Sequence, residues 1–137
     1  MRNLLLILLF FIVSCQKEYS PVNDLQGFRN TSGWRVEEYS VNGKRSGVFT
    51  NYIFEFYDNE KVGCPGNMDG KSPLGVFGGY YEIVTVNKKL CFNIIQANVF
   101  NLNQIIGVWE IVVINGNTIY LIRLNNKDRQ DIIFSRN

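Results

Sequence analysis

The chain of 137 residues contains no histidine. That single absence removes His-based catalytic triads, His general bases and His metal ligands. Cysteine is scarce, with three in all. A nucleophilic cysteine needs a base or a lowered pKa, and Cys64 and Cys91 have no imidazole to help them. Charge is also scarce, at 19% of residues, and the net charge is only +2. Lys and Arg are spread along the chain rather than clustered, so nucleic acid is excluded as a partner. No internal repeat and no low-complexity tract is present. With 46% hydrophobic residues the chain is not of a disordered composition.

What is abundant is aromatic and β-branched. Ten Phe, seven Tyr and two Trp favour strands. The clearest stretch is Ile105 to Leu124, two apolar runs around Asn115-Gly116-Asn117, which reads as a β-hairpin. Alternation puts Trp109, Ile111 and Val113 on one face with Ile119 and Leu121. Val108, Val112, Ile114, Tyr120 and Ile122 then face the other way and need cover of their own. Further strands are predicted over Trp34–Val41, Phe49–Tyr57, Lys61–Cys64, Val76–Val86, Lys89–Gln96 and Gln130–Phe134. Pro65–Pro73, with two Pro and two Gly, reads as a loop, and Ala97–Gln104 is ambiguous. Eight strands with short turns and no convincing helix predict an all-β domain. The expected form is an eight-stranded antiparallel up-and-down β-barrel following an N-terminal signal segment. A two-sheet sandwich is the alternative, and it needs longer cross-connections than the sequence offers.

The N-terminus reads as an export signal: Arg2, then ten unbroken apolar residues from Leu4 to Val13, then Ser14 and Cys15. Ten residues rise about 15 Å as a helix, half of the roughly 30 Å hydrocarbon core, so a permanent span is disfavoured. The tetrad Ile12-Val13-Ser14-Cys15 resembles a bacterial lipobox. The resemblance implies cleavage before Cys15, lipid on that cysteine, and membrane attachment through it. Gln16 in place of Asp leans the expected address towards the outer membrane of the cell envelope. The expected organisation is therefore 1–14 signal peptide, 15–32 lipid anchor and tether, and 33–137 barrel domain. Leu25 and Phe28 are the tether residues able to pack on the domain.

Several short pieces from Trp34 onwards are similar to the lipocalin-like domain of small bacterial lipoproteins. They include Trp34-Arg35-Val36 with Val41-Asn42-Gly43-Lys44, Gly79-Tyr80-Tyr81-Glu82-Ile83, and Trp109-Glu110-Ile111 before Ile119-Tyr120-Leu121. The resemblance implies an early Trp, with Gly two residues before it, at a closed barrel end, and a late Arg packed across its ring. Trp34 and Arg123 are the matching residues, although Ser32 stands where Gly is expected. The opposite end would be open and lined by Phe54, Phe56, Tyr81 and Phe92, with Trp109 also inward.

No catalytic constellation emerges, and no cofactor or metal is expected. Asp58-Asn59-Glu60 and Asn67-Met68-Asp69-Gly70 read as turns rather than cation sites. Gly78-Gly79 marks a bend or bulge. Cys64 and Cys91 fall on the third and fifth predicted strands, too far apart for a bridge. Two non-enzymatic functions remain. One is a binder of a small hydrophobic molecule in the lumen. The other is an envelope interaction module, an inhibitor or accessory subunit with a self-filled barrel. Its docking face for a protein partner or second copy would be Val108, Val112, Ile114, Tyr120 and Ile122.

Overall fold

Turn chemistry sets the connectivity. Asn42-Gly43, Asn87-Lys88 and Asn126-Lys127 all have positive φ at both residues. That is the two-residue hairpin turn whose twist matches the flanking strands, and Asn tolerates it best among residues with a side chain. The computed structural model describes residues 27–58, 66–97 and 100–136. Nine strands occur in chain order: β1 Thr31–Val41, β2 Lys44–Arg45, β3 Ile53–Tyr57, β4 Gly66–Ser72, β5 Gly75–Val86, β6 Lys89–Ala97, β7 Gly107–Ile114, β8 Thr118–Asn125 and β9 Asp128–Ser135. Two 3₁₀ turns, η1 Gly47–Phe49 and η2 Phe100–Gln104, sit before β3 and β7.

Every neighbouring pair is antiparallel. From β3 to β9 each strand pairs with the next, and β1 pairs with both β3 and β9. This closes eight strands into the expected barrel, while β2 is a two-residue addition on β1. Closure leaves no long open edge. Bulges in β1, between β5 and β6, and between β7 and β8 supply the local bending. The lower end carries the start of β1, the β3–β4, β5–β6 and β7–β8 connections and the end of β9. The upper end carries the other five connections, including η1 and η2.

Three expectations need correction. Pro65–Pro73 is not all loop, because Gly66–Ser72 forms β4. Its glycines are needed inside the barrel, where they were expected to mark a turn. Gly66, Met68 and Gly70 face inward, and a side chain on Gly66 would overlap the Tyr81 ring. One on Gly70 would overlap Phe77 and lie 2.6 Å from the Ile53 carbonyl. Neighbouring aromatics thus occupy the space that β4 leaves free. Second, Phe49 is not in a strand but in η1, and β3 starts only at Ile53. Third, the domain boundary expected at residue 33 falls inside β1, and Phe28 before it is already in the core. The ambiguous stretch contains η2, and Gly79 lies beside a bulge at Tyr80 and Tyr81. The strand expected at Lys61–Cys64, and Asn59-Glu60, lie outside the described residues.

Candidate functional site

The lumen is built by alternation. Tyr52, Phe54 and Phe56 approach from β3 and its lead-in, Phe77 and Tyr81 from β5, Phe92 and Ile94 from β6, and Ile132 and Phe134 from β9; each is at most 3% exposed. The rings form one continuous column. It runs from Tyr39 and Phe49 (5.0 Å between centroids) through Tyr52 and Phe54 to Phe56, Tyr81 and Phe92. Tyr81 and Phe92 stack at 5.0 Å and 5°. Phe54 meets Phe77 edge-on at 5.0 Å and Phe134 at 5.2 Å. The four residues expected to line an open lumen, Phe54, Phe56, Tyr81 and Phe92, are brought together, and their contacts are with one another and with neighbouring rings. Burial pushes the Tyr81 phenol up to about 12. Its hydroxyl donates to the Tyr57 carbonyl at 2.9 Å rather than standing free in the lumen.

At the lower end Phe28 enters from the lead-in to β1. Its ring lies 5.9–6.1 Å from Phe56, Tyr81 and Phe92. Trp34 is fully buried, and its indole N–H donates to the Phe28 carbonyl at 3.1 Å. The cation over its ring is Arg136, at 5.8 Å. Arg123, the expected partner, is elsewhere. Its cross-strand neighbour on β9 is Gln130, whereas Ser135 lies beside Arg35 next to Trp34. Those β9 positions differ by 135 − 130 = 5 residues, about 17 Å of strand.

Arg123 closes the upper end instead. Its guanidinium lies 4.1 Å from the centre of the Trp109 ring. Nε donates to Gln130 Oε1 at 2.6 Å, Nη1 to the Ile106 carbonyl at 2.5 Å, and Nη2 to the Gln104 carbonyl. Burial lowers its pKa from the ordinary arginine value. Trp109 in turn donates to the Ile105 carbonyl at 2.8 Å, and Leu102 and Ile105 of this connection are fully buried. The Gly-x-Trp spacing expected near Trp34 occurs here as Gly107-Val108-Trp109. Gly107 has φ +116°, and Arg123 Nη1 lies 3.3 Å from the place its Cβ would occupy. The single Trp–Arg feature expected at one end is thus present at both, with different partners.

No family model matches the chain, and no curated protein or solved structure is found to be similar to it.

The outer wall corrects the expected docking face at one residue. Ile111 pairs with Leu121 but Val113 pairs with Tyr120, so Val112 is an extra residue in the ladder. The bulge inverts the alternation beyond it. Ile114 therefore points inward and is buried, while Val113 is only partly covered. Val108, Val112, Tyr120 and Ile122 do lie on the outer face. Val108 and Ile122, with Val86, Leu124, Glu110 and Arg129, line a shallow groove of ≈ 500 Å³. Its rim is charge-paired. Lys89 bridges Glu110 at 2.8 Å, and Arg129 bridges Asp131 at 2.8 Å beside the Tyr120 hydroxyl. The Arg129 hydrogen bond holds the Asp131 carboxyl below the usual carboxylate range.

Cys91 is a free, buried thiol on β6, with its pKa raised by burial. It is protonated at neutral pH, and the Glu110 carboxylate opposite it on β7 adds to the upward shift. Cys15 and Cys64 lie outside the described residues. Among the described residues, no three Asp, Glu or Cys side chains are grouped to hold a metal ion. Phe49, Phe77, Phe134 and Leu102 are core residues that sequence reasoning did not assign, and Phe28, expected only to pack on the domain, is fully buried in its core. Phe77 shares the parity of Tyr81 and Phe134 that of Ile132, so alternation carries the signal for both. Phe28, Phe49 and Leu102 lie outside strands and have no such periodic signal.

Proposed function

We propose that this protein is a lipid-anchored bacterial envelope protein whose barrel is a non-enzymatic interaction module filled by its own side chains. The carrying observation is the unbroken aromatic column, capped by Phe28 at one end and by the Trp109–Arg123 pair at the other. A small apolar ligand would have to displace rings from it. Phe92 alone contacts Phe28, Phe56 and Tyr81. Each such pair is worth about 0.5–1.5 kcal/mol beyond area burial, so a lumenal ligand starts with several kcal/mol to recover. The lack of histidine and the protonated Cys91 favour a module without catalysis. The exposed groove around Val108 and Ile122 is the surface we assign to a protein partner.

Anchorage through Cys15 is supported by the apolar run and the lipobox-like tetrad, and the outer membrane is the proposed address. The test is native mass spectrometry of the mature protein after incubation with envelope lipid extract. The expected spectrum shows the lipidated chain without a further small molecule. A stoichiometric bound species that disappears in Phe92→Ala would replace this reading with lumenal ligand binding.

A further inference from the structure

We infer that the upper end of the barrel lies against the membrane, so that the bilayer surface is a second ligand of this domain. The inference uses the anchorage proposed above only to bring the domain to the bilayer. Large exposed hydrophobics are concentrated at the upper connections. Leu74 and Val76 of the β4–β5 hairpin are each 77% exposed, Leu124 before the β8–β9 turn is 78% exposed, and Val48 of η1 is 36% exposed. At the described lower tips, Asn87-Lys88 and Asn115-Gly116-Asn117, the large exposed hydrophobic is Val86 at 40%, well below Leu74, Val76 and Leu124.

The same rim is basic on balance, its exposed acid Asp128 accepting from Asn42 beside Lys127. Lys44, Lys71 and Lys127 are exposed at three of its five connections, and none is in an ion pair among the described residues. Aliphatic tips that insert, flanked by lysines that stay at headgroup level, are the composition of an interfacial membrane contact with anionic lipid. A protein partner would not require the aliphatic residues to be spread over separate hairpin tips around a rim. A flat bilayer surface contacts such a ring of tips at once.

The reach is sufficient. From Cys15 to Gly27 is 27 − 15 = 12 residues, at most about 40 Å of chain. The 11 residues of β1 span about 36 Å, or roughly 28 Å along a barrel axis tilted by about 40°. A lipid on Cys15 therefore allows the rim remote from the N-terminal lead-in to touch the bilayer that holds the anchor.

Two reporters decide the orientation. The mature protein is placed in phosphatidylglycerol-containing vesicles with brominated acyl chains, as Leu74→Trp and separately as Gly116→Trp. Gly116 has open space around it, and Trp34 and Trp109 are both fully buried and give a constant background. The expected result is that the emission added at position 74 falls about twofold or more in brominated vesicles, as for a group a few ångströms into the interface. The emission added at position 116 stays unchanged. Lys71→Glu with Lys127→Glu should restore the position-74 emission. Unquenched emission at position 74, or equal quenching at both positions, overturns the inference. The mass of the Cys15 peptide is read separately. An unlipidated Cys15 removes the anchorage reading, while quenching at position 74 by anionic vesicles still decides the rim.

Discussion

The two ends of the barrel solve one problem with the same residue types and different sources. Each end holds a buried Trp whose indole N–H binds a carbonyl just upstream, Phe28 for Trp34 and Ile105 for Trp109. Each has an Arg near the ring, at 5.8 Å below and 4.1 Å above. At the lower end the plug is a single aromatic from the lead-in, Phe28, set among three other rings. At the upper end the plug is an internal connection containing η2, tied down by two guanidinium hydrogen bonds from Arg123, whose third holds it to Gln130 on β9. One end is held mainly by apolar packing, the other by packing and a polar clamp. Substitutions should separate the two.

The largest effect is expected at the plugs. Phe28→Ala should cost about 3–5 kcal/mol, as for a fully buried Phe, measured by chemical denaturation. Phe49→Ala, which removes two ring contacts rather than three, should fall at the lower part of that range. A cost near 1 kcal/mol for Phe28→Ala would mean that the lead-in is outside the cooperative unit and the lower end opens. Next is Gly70→Ala, which forces a methyl group against Phe77 and the Ile53 carbonyl. It should cost about 1–3 kcal/mol by overpacking, and Phe77→Leu should recover part of it. An unaltered denaturation midpoint would show that β4 is not held against β5 in this register.

The two arginines come third. Arg123→Ala loses a cation–π contact of about 0.5–2 kcal/mol and leaves the Ile106 and Gln104 carbonyls without their donor, so about 2–3 kcal/mol is expected in total. Arg123→Lys should recover little, because an ammonium cannot reproduce the fork. Arg136→Ala should cost no more than about 1 kcal/mol. Equal losses at the two arginines would erase the distinction between the ends. The last effect is confined to alkali. Burial raises the Tyr81 phenol to about 12, above its unfolded value of about 10. Its contribution is complete below the unfolded value and is lost as pH rises through the folded one. Stability should therefore decline between about pH 10 and pH 12, and Tyr81→Phe should make that limb shallower, Tyr39, Tyr57 and Tyr120 keeping the remainder.

Strand identity was legible wherever side chains carry the period. Phe54 and Phe56, Tyr81 and Ile83, Phe92 and Ile94, and Ile119 and Leu121 are each two residues apart, and each pair shares one face in the barrel. β4 was not legible, because its inward residues Gly66 and Gly70 are small for the sake of Tyr81 and Phe77. A strand whose lining is supplied by its neighbour has no hydrophobic period of its own. The bulge at Val112 was hidden for another reason. Inserting one residue in an all-apolar run leaves the composition unchanged while it moves Ile114 inward.

The sequence alone determined the strand-rich class, the hairpin turns at Asn42, Asn87 and Asn126, and the absence of imidazole chemistry. These follow from local dihedral preference and side-chain inventory, which need no distant partner. Only the tertiary structure decided which Arg covers which Trp and which rings meet in the lumen. Arg123 and Arg136 are chemically equivalent in the sequence. Barrel closure by β1 and β9 sets them at opposite ends, and the rings that meet across the lumen come from strands far apart in the chain.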